Sequence, residues 1–252
     1  MPIRQKTLHE TPGVCVRLSH YGPGERMHAH GHDHHQISWL LAGELLEESG
    51  RSQRELLRAA RGVKPADCVH ANVYGPQGAL LLTASLDAAT AARFLPGGAL
   101  DWSWDAADPA PARALLGLIA RGGDIADAAL DDLLSLDGQA GPDATSRVPD
   151  WLEAVRAQLR DDPDAPELDS LARQHGVHRV HLSRSFTRHF GMAPSLYRVR
   201  SRLALGITRL SEGEAPADAA ADAGFADQSH FSRRLTRDLG LAPRRLQTLL
   251  AA

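Results

Sequence analysis

From Thr11 to about Leu86 the chain sets short apolar runs between glycines and prolines: VCVRL, QISWLL, ELLRAAR, PADCVHANVYGPQG and ALLLTASL. Several alternate with period two, the spacing that puts every second side chain on one face of a strand, and together they predict an antiparallel β-rich domain of small strands. After Pro96 the period lengthens to that of a helix. Asp108-Pro109 provides a helix start, Leu115, Leu116, Leu118 and Ile119 an apolar face, and Gly122-Gly123 a stop. Ile125, Ala128, Ala129, Leu133, Leu134 and Leu136 form a second amphipathic stripe. These helices, in the segment 96–137, have two available roles, capping the β domain or forming a homodimer interface.

GQAGPDATSR is rich in small, polar and breaker residues and reads as a linker, over 138–148. Beyond it every pattern is helical. Pro149-Asp150 opens a helix through about Leu159, and Pro166-Glu167 opens another through about His175. Pro194 starts a long one, with Leu196, Val199, Leu203, Ile207 and Leu210 at three-to-four spacing. The expected class is α+β: a β domain over 1–95, connecting helices over 96–137, a linker, and an all-α domain over 149–252.

The all-α part repeats itself. Residues 181–194 read HLSRSFTRHFGMAP and residues 230–243 read HFSRRLTRDLGLAP, 49 positions apart, with eight of the fourteen positions identical. A duplicated unit presents one surface twice. Before each copy a small residue, Ala172 or Ala220, stands four positions ahead of a glycine, Gly176 or Gly224, which is followed at once by an apolar residue, Val177 or Phe225. The small residue lets two helices cross closely and the glycine permits a left-handed turn, which together give a helix-turn-helix pattern. On the second helix of each unit Leu182, Phe186 and Phe190, or Phe231, Leu235 and Leu239, recur at i, i+4 and i+8 and must face a core. The opposite face then holds Val180, Arg184 and Thr187 in one copy and Ser229, Arg233 and Thr236 in the other.

Charge sharpens this picture. The whole chain is −3, but residues 1–148 hold 13 Lys plus Arg against 18 Asp plus Glu, whereas residues 171–252 hold 13 Arg, no Lys and 6 acids. A local excess of +7 on a slightly acidic chain is the footprint of a polyanion-binding segment. Arginine can bond a guanine edge with two N–H groups, Ser or Thr can bond a base or a phosphate, and Val180 can touch a thymine methyl. Arg179, Arg188, Arg234 and Arg237 flank these faces and suit phosphate contacts. Two such helices on a long connecting helix match successive major grooves of double-stranded DNA, about 34 Å apart.

With these residues in place, the segment from about 150 to 250 resembles the DNA-binding domain of AraC-type transcriptional regulators. GFADQSHFSRRLTRDLGLAPRRL is close to the family signature. The resemblance implies base contacts from Val180, Ser183 and Arg184 and from Gln228, Ser229, Ser232 and Arg233. Leu235 and Leu246 stand where aromatic residues are usual, and Ala219 where Ile is common; all three are core substitutions.

Eight of the thirteen histidines lie between residues 9 and 70. GERMHAHGHDHHQISWLLAG, residues 24–43, resembles the first motif of the cupin barrels, with Gln36 in place of the usual Glu; PADCVH, residues 65–70, resembles the second, with His70 at the ligand position. On a strand, His30 and His32 share one side, and a third imidazole from a neighbouring strand completes a set for a divalent metal. Three imidazoles and an amide oxygen, from His30, His32, His70 and Gln36, suit Zn, Ni, Cu or Fe. His28 with His30 is a competing pair, and Cys68 is an alternative ligand. Trp39, Trp102 and Trp104 are expected to be packing residues.

Cys15 and Cys68 are too few to staple a chain of this size, so a reducing compartment, the cytoplasm, is expected, and no apolar run is long enough for a membrane span. Three functions fit. The first is a transcription regulator whose cupin-like domain senses a small molecule or metal ion. The second is a metal-dependent cupin enzyme fused to a DNA-binding module, which Gln36 disfavours because catalytic cupins usually keep a carboxylate there. The third is a constitutive DNA-binding protein with a dimerising β domain.

Overall fold

The computed structural model describes residues 3–94, 101–123, 125, 127–134 and 147–251. Most of the expected linker, together with Leu136, lies outside the described residues. Eight strands, β1 (Arg4–Thr11), β2 (Val14–Tyr21), β3 (Arg26–His30), β4 (His35–Ser49), β5 (Ser52–Leu56), β6 (Ala60–Lys64), β7 (His70–Leu86) and β8 (Ser103–Ala106), form one antiparallel sheet. The strand path runs β1-β2-β7-β4-β6-β8, with β3 added to β7 and β5 to β4. The sheet therefore takes one strand beyond residue 95, because β8 pairs with β6 along Ala60–Val63. The helices are α1 (Ala88–Phe94), α2 (Ala110–Ala120), α3 (Asp127–Leu134), α4 (Asp150–Asp161), α5 (Leu168–Gln174), α6 (Arg179–Phe190), α7 (Pro194–Ser211), α8 (Pro216–Asp222), α9 (Gln228–Leu239) and α10 (Pro243–Leu250). Among the described residues, no helix is long and apolar enough to cross a membrane.

The long strands β4 and β7 carry the design. Ile37, Trp39 and Leu41 on β4 and Leu80, Leu82, Ala84 and Leu86 on β7 turn to one face, while Leu40, Leu45, Tyr74, Ala79 and Leu81 turn to the other. Both faces are buried, which is why these segments read as near-continuous apolar runs and not as a clean alternation. The two strands bend together at Gly43 and Gly78, both at positive φ. The backbones meet so closely there that a Cβ on Gly43 would lie 2.0 Å from the Gly78 carbonyl oxygen.

One face packs against α2 and α3 and, from the C-terminal part of the chain, against α7 to α10. Val16, Leu18, Leu80 and Leu82 share a core with Leu115 and Leu116 of α2, Leu133 and Leu134 of α3, Leu203, Ile207 and Leu210 of α7, and Phe231, Leu235 and Leu239 of α9. The stripes of α2 and α3 are thus buried within their own chain. The connecting helix α7 is docked on the sheet, and polar contacts fix its place. Thr208 donates its hydroxyl hydrogen to the Gln77 carbonyl at 2.8 Å, so the His20 imidazole donates from Nε2 to the Thr208 hydroxyl oxygen, 3.0 Å away. Gln77 Nε2 donates to the Arg160 carbonyl of α4 at 3.1 Å, and Tyr197 donates to Glu44 Oε1 at 2.5 Å. Arg156 of α4 pairs with Glu55 of β5 at 3.0 Å.

Inside the other face Glu47 is fully buried. Trp102 and Trp104 donate their indole N–H groups to its Oε1 at 2.7 and 2.8 Å, and Lys64 Nζ lies 3.2 Å from its Oε2. The two tryptophans are packing residues with a polar anchor, since a carboxylate withdrawn from water needs donors on every side.

His20 gives the fold a pH dependence. Burial, with Arg4 nearby, pulls its pKa down to about 4 from 6.5. Between those values the unfolded chain binds a proton that the folded chain refuses, so this contribution to stability is full above pH 6.5 and falls as pH drops toward 4, by about 3 kcal/mol. Denaturant unfolding should show a lower midpoint at pH 5 than at pH 7.5. His20→Gln, which keeps a donor for Thr208, should shrink that difference.

Candidate nucleic-acid interface and histidine cluster

α6 and α9 are each twelve residues long and equivalent in the repeat. Their N-caps, His178 and Asp227, are 49 positions apart; His178 accepts from the Val180 N–H at 3.2 Å and Asp227 from the His230 N–H at 2.6 Å. Both helices end in a left-handed glycine, Gly191 and Gly240, each donating its N–H to a threonine carbonyl one turn back. The preceding turns hold Gly176 and Gly224 at positive φ, and Ala172 and Ala220 are buried where the short helices α5 and α8 cross the second helix of each unit. Leu182, Phe186 and Phe190, and Phe231, Leu235 and Leu239, are buried. Gly206 of α7 lets the Phe231 ring approach so closely that a Cβ there would lie 2.7 Å from it. Leu235, Leu246 and Ala219, the departures from the family pattern, are fully buried.

Opposite these cores the expected faces are open. Val180 is 47% exposed. Arg184, Thr187, Ser229, Arg233 and Thr236 are exposed, as are Arg179, Arg188, Gln228 and Arg237, while Ser183 and Ser232 are half-buried at the edge of the faces. Among the described residues Arg184 and Arg233 have no ion-pair partner. Three of the expected phosphate contacts already have a carboxylate partner, among them Arg179, with Nε 3.7 Å from Asp169. Arg234 is held by Asp238 at 2.7 Å, one helical turn away, and Arg237 lies 3.3 Å from the same carboxylate. Thr187 and Thr236 give their hydroxyl hydrogens to the Ser183 and Leu241 carbonyls at 2.9 and 3.3 Å, so toward a ligand each can only accept.

At the far end of the β domain, His30 stands directly across from His70 on β3 and β7. His32 lies just past the end of β3, in the turn, where its ring meets His30 edge-on at 5.0 Å and His70 at 5.4 Å. The ligating nitrogens of His30, His32 and His70 all lie within 4.8 Å of one another. Two tautomers are set by the backbone: His30 Nδ1–H donates to the His28 carbonyl at 2.7 Å and His70 Nδ1–H to the Cys68 carbonyl at 3.0 Å, which leaves Nε2 of each with a free lone pair. Burial, then the neighbouring imidazoles, lowers the His32 pKa to about 4, and burial lowers that of His70. Neutral, oriented imidazoles are what a divalent ion requires. The fourth expected ligand is placed differently. Gln36 donates its amide N–H to His34 Nε2 at 3.2 Å, while His34 donates from Nδ1 to Asp33 at 2.8 Å. Cys68 contacts Ser49 at 3.3 Å and His28 contributes only its carbonyl, so neither joins the cluster.

Sequence reasoning missed Glu44, Tyr197, His20, Thr208 and Gln77, which join the two halves, and the buried Glu47. No local signal marks them, because their partners lie tens to nearly two hundred positions away.

Comparison with known proteins agrees with the helical part. Residues 171–248 match the family model described as a helix-turn-helix domain, HTH_18. A 64-residue stretch is 39% identical to the uncharacterized HTH-type transcriptional regulator YbfI of Bacillus subtilis; it covers 25% of this chain and spans 23% of that relative's length. ToxT from Vibrio cholerae is 11% identical over 95% of this chain and 100% of its own, with a TM-score of 0.41. A cupin superfamily protein from Desulfitobacterium hafniense is 17% identical over 34% of this chain and 78% of its own, with a TM-score of 0.32. At scores below 0.5 neither solved structure adds weight to the matched domain. Residues 171–248 thus match a helix-turn-helix domain, carried behind an antiparallel β domain.

Proposed function

We propose that this chain is a sequence-specific DNA-binding transcription regulator whose N-terminal cupin-like domain senses a metal ion or a small molecule. The observation that carries this is the pair of exposed, equivalently phased faces on α6 and α9, each with an unpaired arginine. Arg184 and Arg233 read base edges, flanked by Val180 and Ser183 in one copy and by Gln228, Ser229 and Ser232 in the other. Arg179, Arg188 and Arg237, with Thr187 and Thr236 at the rim, hold the backbone. The two faces differ in composition around a shared arginine, which favours an asymmetric site. Free Cys15 and Cys68 support action in the reducing cytoplasm.

In the β domain, His30, His32 and His70 are the residues that would hold a divalent ion of the zinc, nickel, copper or iron class. Such an ion supplies a rigid link between β3 and β7. It regulates only by favouring one arrangement of the chain over another, typically by about 1–3 kcal/mol. The absence of a carboxylate at residue 36, and the engagement of its amide with His34, support sensing over catalysis.

Selection of bound duplexes from a random pool should yield a defined site for the full-length protein. Against that site Arg184→Ala or Arg233→Ala should each weaken binding by about 1–3 kcal/mol and relax specificity in one half only. Equal loss on all sequences, with a shallower salt dependence, would assign both arginines to phosphates. For the ion, elemental analysis should find metal in the wild type and lose it in His30→Ala and His70→Ala; stoichiometric metal that survives both changes removes the site.

A further inference from the structure

The N-terminal half of the chain touches both reading helices at the same place. α6 and α9 end at Gly191 and Gly240, equivalent positions of the repeat, and one arginine from the N-terminal half lies against each. A Cβ on Gly191 would sit 3.7 Å from the guanidinium carbon of Arg58, in the turn between β5 and β6. The neighbouring Leu57 anchors that turn in the core of Phe186 and Phe190. A Cβ on Gly240 would sit 3.3 Å from Arg113 Cγ and 2.6 Å from its carbonyl oxygen on α2. Arg113 Nη1 donates to the Arg237 carbonyl in the last turn of α9 at 3.3 Å. Cations are favoured at these helix ends, where the final carbonyls carry partial negative charge, and at Gly240 the missing Cβ leaves room for Arg113.

At the second copy the grip is reciprocal. Arg245 of α10 donates to the Ile119 carbonyl at the end of α2, 3.1 Å away, so each helix end is held by an arginine from the other side. Gly117, one turn on from Arg113, brings the α2 backbone onto the same spot, with its nitrogen 3.3 Å from the Gly240 Cβ position. Among the described residues neither Arg58 nor Arg113 has an ion-pair partner, and neither stands on a reading face.

We propose that Arg58 and Arg113 are positioning residues, one for each reading helix: Arg58 holds α6 against the turn between β5 and β6, Arg113 holds α9 against α2, and each governs one half of the DNA site without touching DNA. This rests on the DNA-binding function proposed above. It gives the N-terminal half a separate handle on each half-site.

The test uses the full chain and the duplex selected by the wild type, with two scrambled versions, one in the half whose discrimination is lost in Arg184→Ala and one in the half lost in Arg233→Ala. Fluorescence anisotropy should show Arg113→Ala and Gly117→Leu losing roughly three- to thirty-fold of their discrimination in the α9 half while keeping that in the α6 half. Arg58→Ala should show the reverse. All three should keep the wild-type salt dependence and melt cooperatively. Equal loss in both halves, no loss in either, or a shallower salt dependence overturns the assignment, the last by making the arginine a phosphate contact. If the wild type selects no sequence, the DNA-binding function itself fails, and that outcome is distinct from the others.

Discussion

The structure depends on the seating of α7 at the bend of β4 and β7. At that bend Gly43 and Gly78 bring two strands into backbone contact, and only residues without a Cβ permit it. Thr208 meets the Gln77 carbonyl there, His20 bonds the Thr208 hydroxyl, and Tyr197 reaches Glu44 one residue beyond Gly43. Each of these polar groups is removed from water and would be costly alone. Together they satisfy one another, so the helix has one position in which these groups are all paired. Leu203, Ile207 and Leu210 supply the apolar burial beneath it.

Because α7 joins the two helix-turn-helix units, whatever fixes α7 also sets where the units stand. The second unit shares the main core with the sheet, α2 and α3, while the first forms its own core around Phe186 and Tyr197 and meets the β domain through Leu57, Glu44 and Glu55. β7 itself starts at His70, in the histidine cluster, and passes Gln77 and Gly78, where α7 docks. The elements that would feel an ion are therefore continuous with those that hold α6 and α9, since Gln77 and Thr208 are in direct hydrogen-bond contact.

The repeat was legible because its positions are set by helix geometry. A residue's side of a helix follows from 100° per residue, so the buried Leu182, Phe186 and Phe190 and the open Val180 and Arg184 are separated by counting alone. The histidine cluster was legible in part. His30 and His70 face each other across paired strands, as a two-residue period allows, but the strand ended before His32 and the Gln36 amide turned to His34. Strand ends and amide directions depend on neighbours across the sheet, and these have no sequence period.

By itself, the sequence determined the class of the chain, the two equivalent outward faces and the basic charge of the segment that carries them, since each follows from local periodicity or composition. Helix geometry also settled one arginine, since Arg234 and Asp238 pair four residues apart on α9. Tertiary structure decided that the apolar stripes of α2 and α3 close on the chain's own core, and that Arg58 and Arg113 come to rest on Gly191 and Gly240. Those outcomes turn on which surfaces meet across more than a hundred residues, and only the packed chain specifies that.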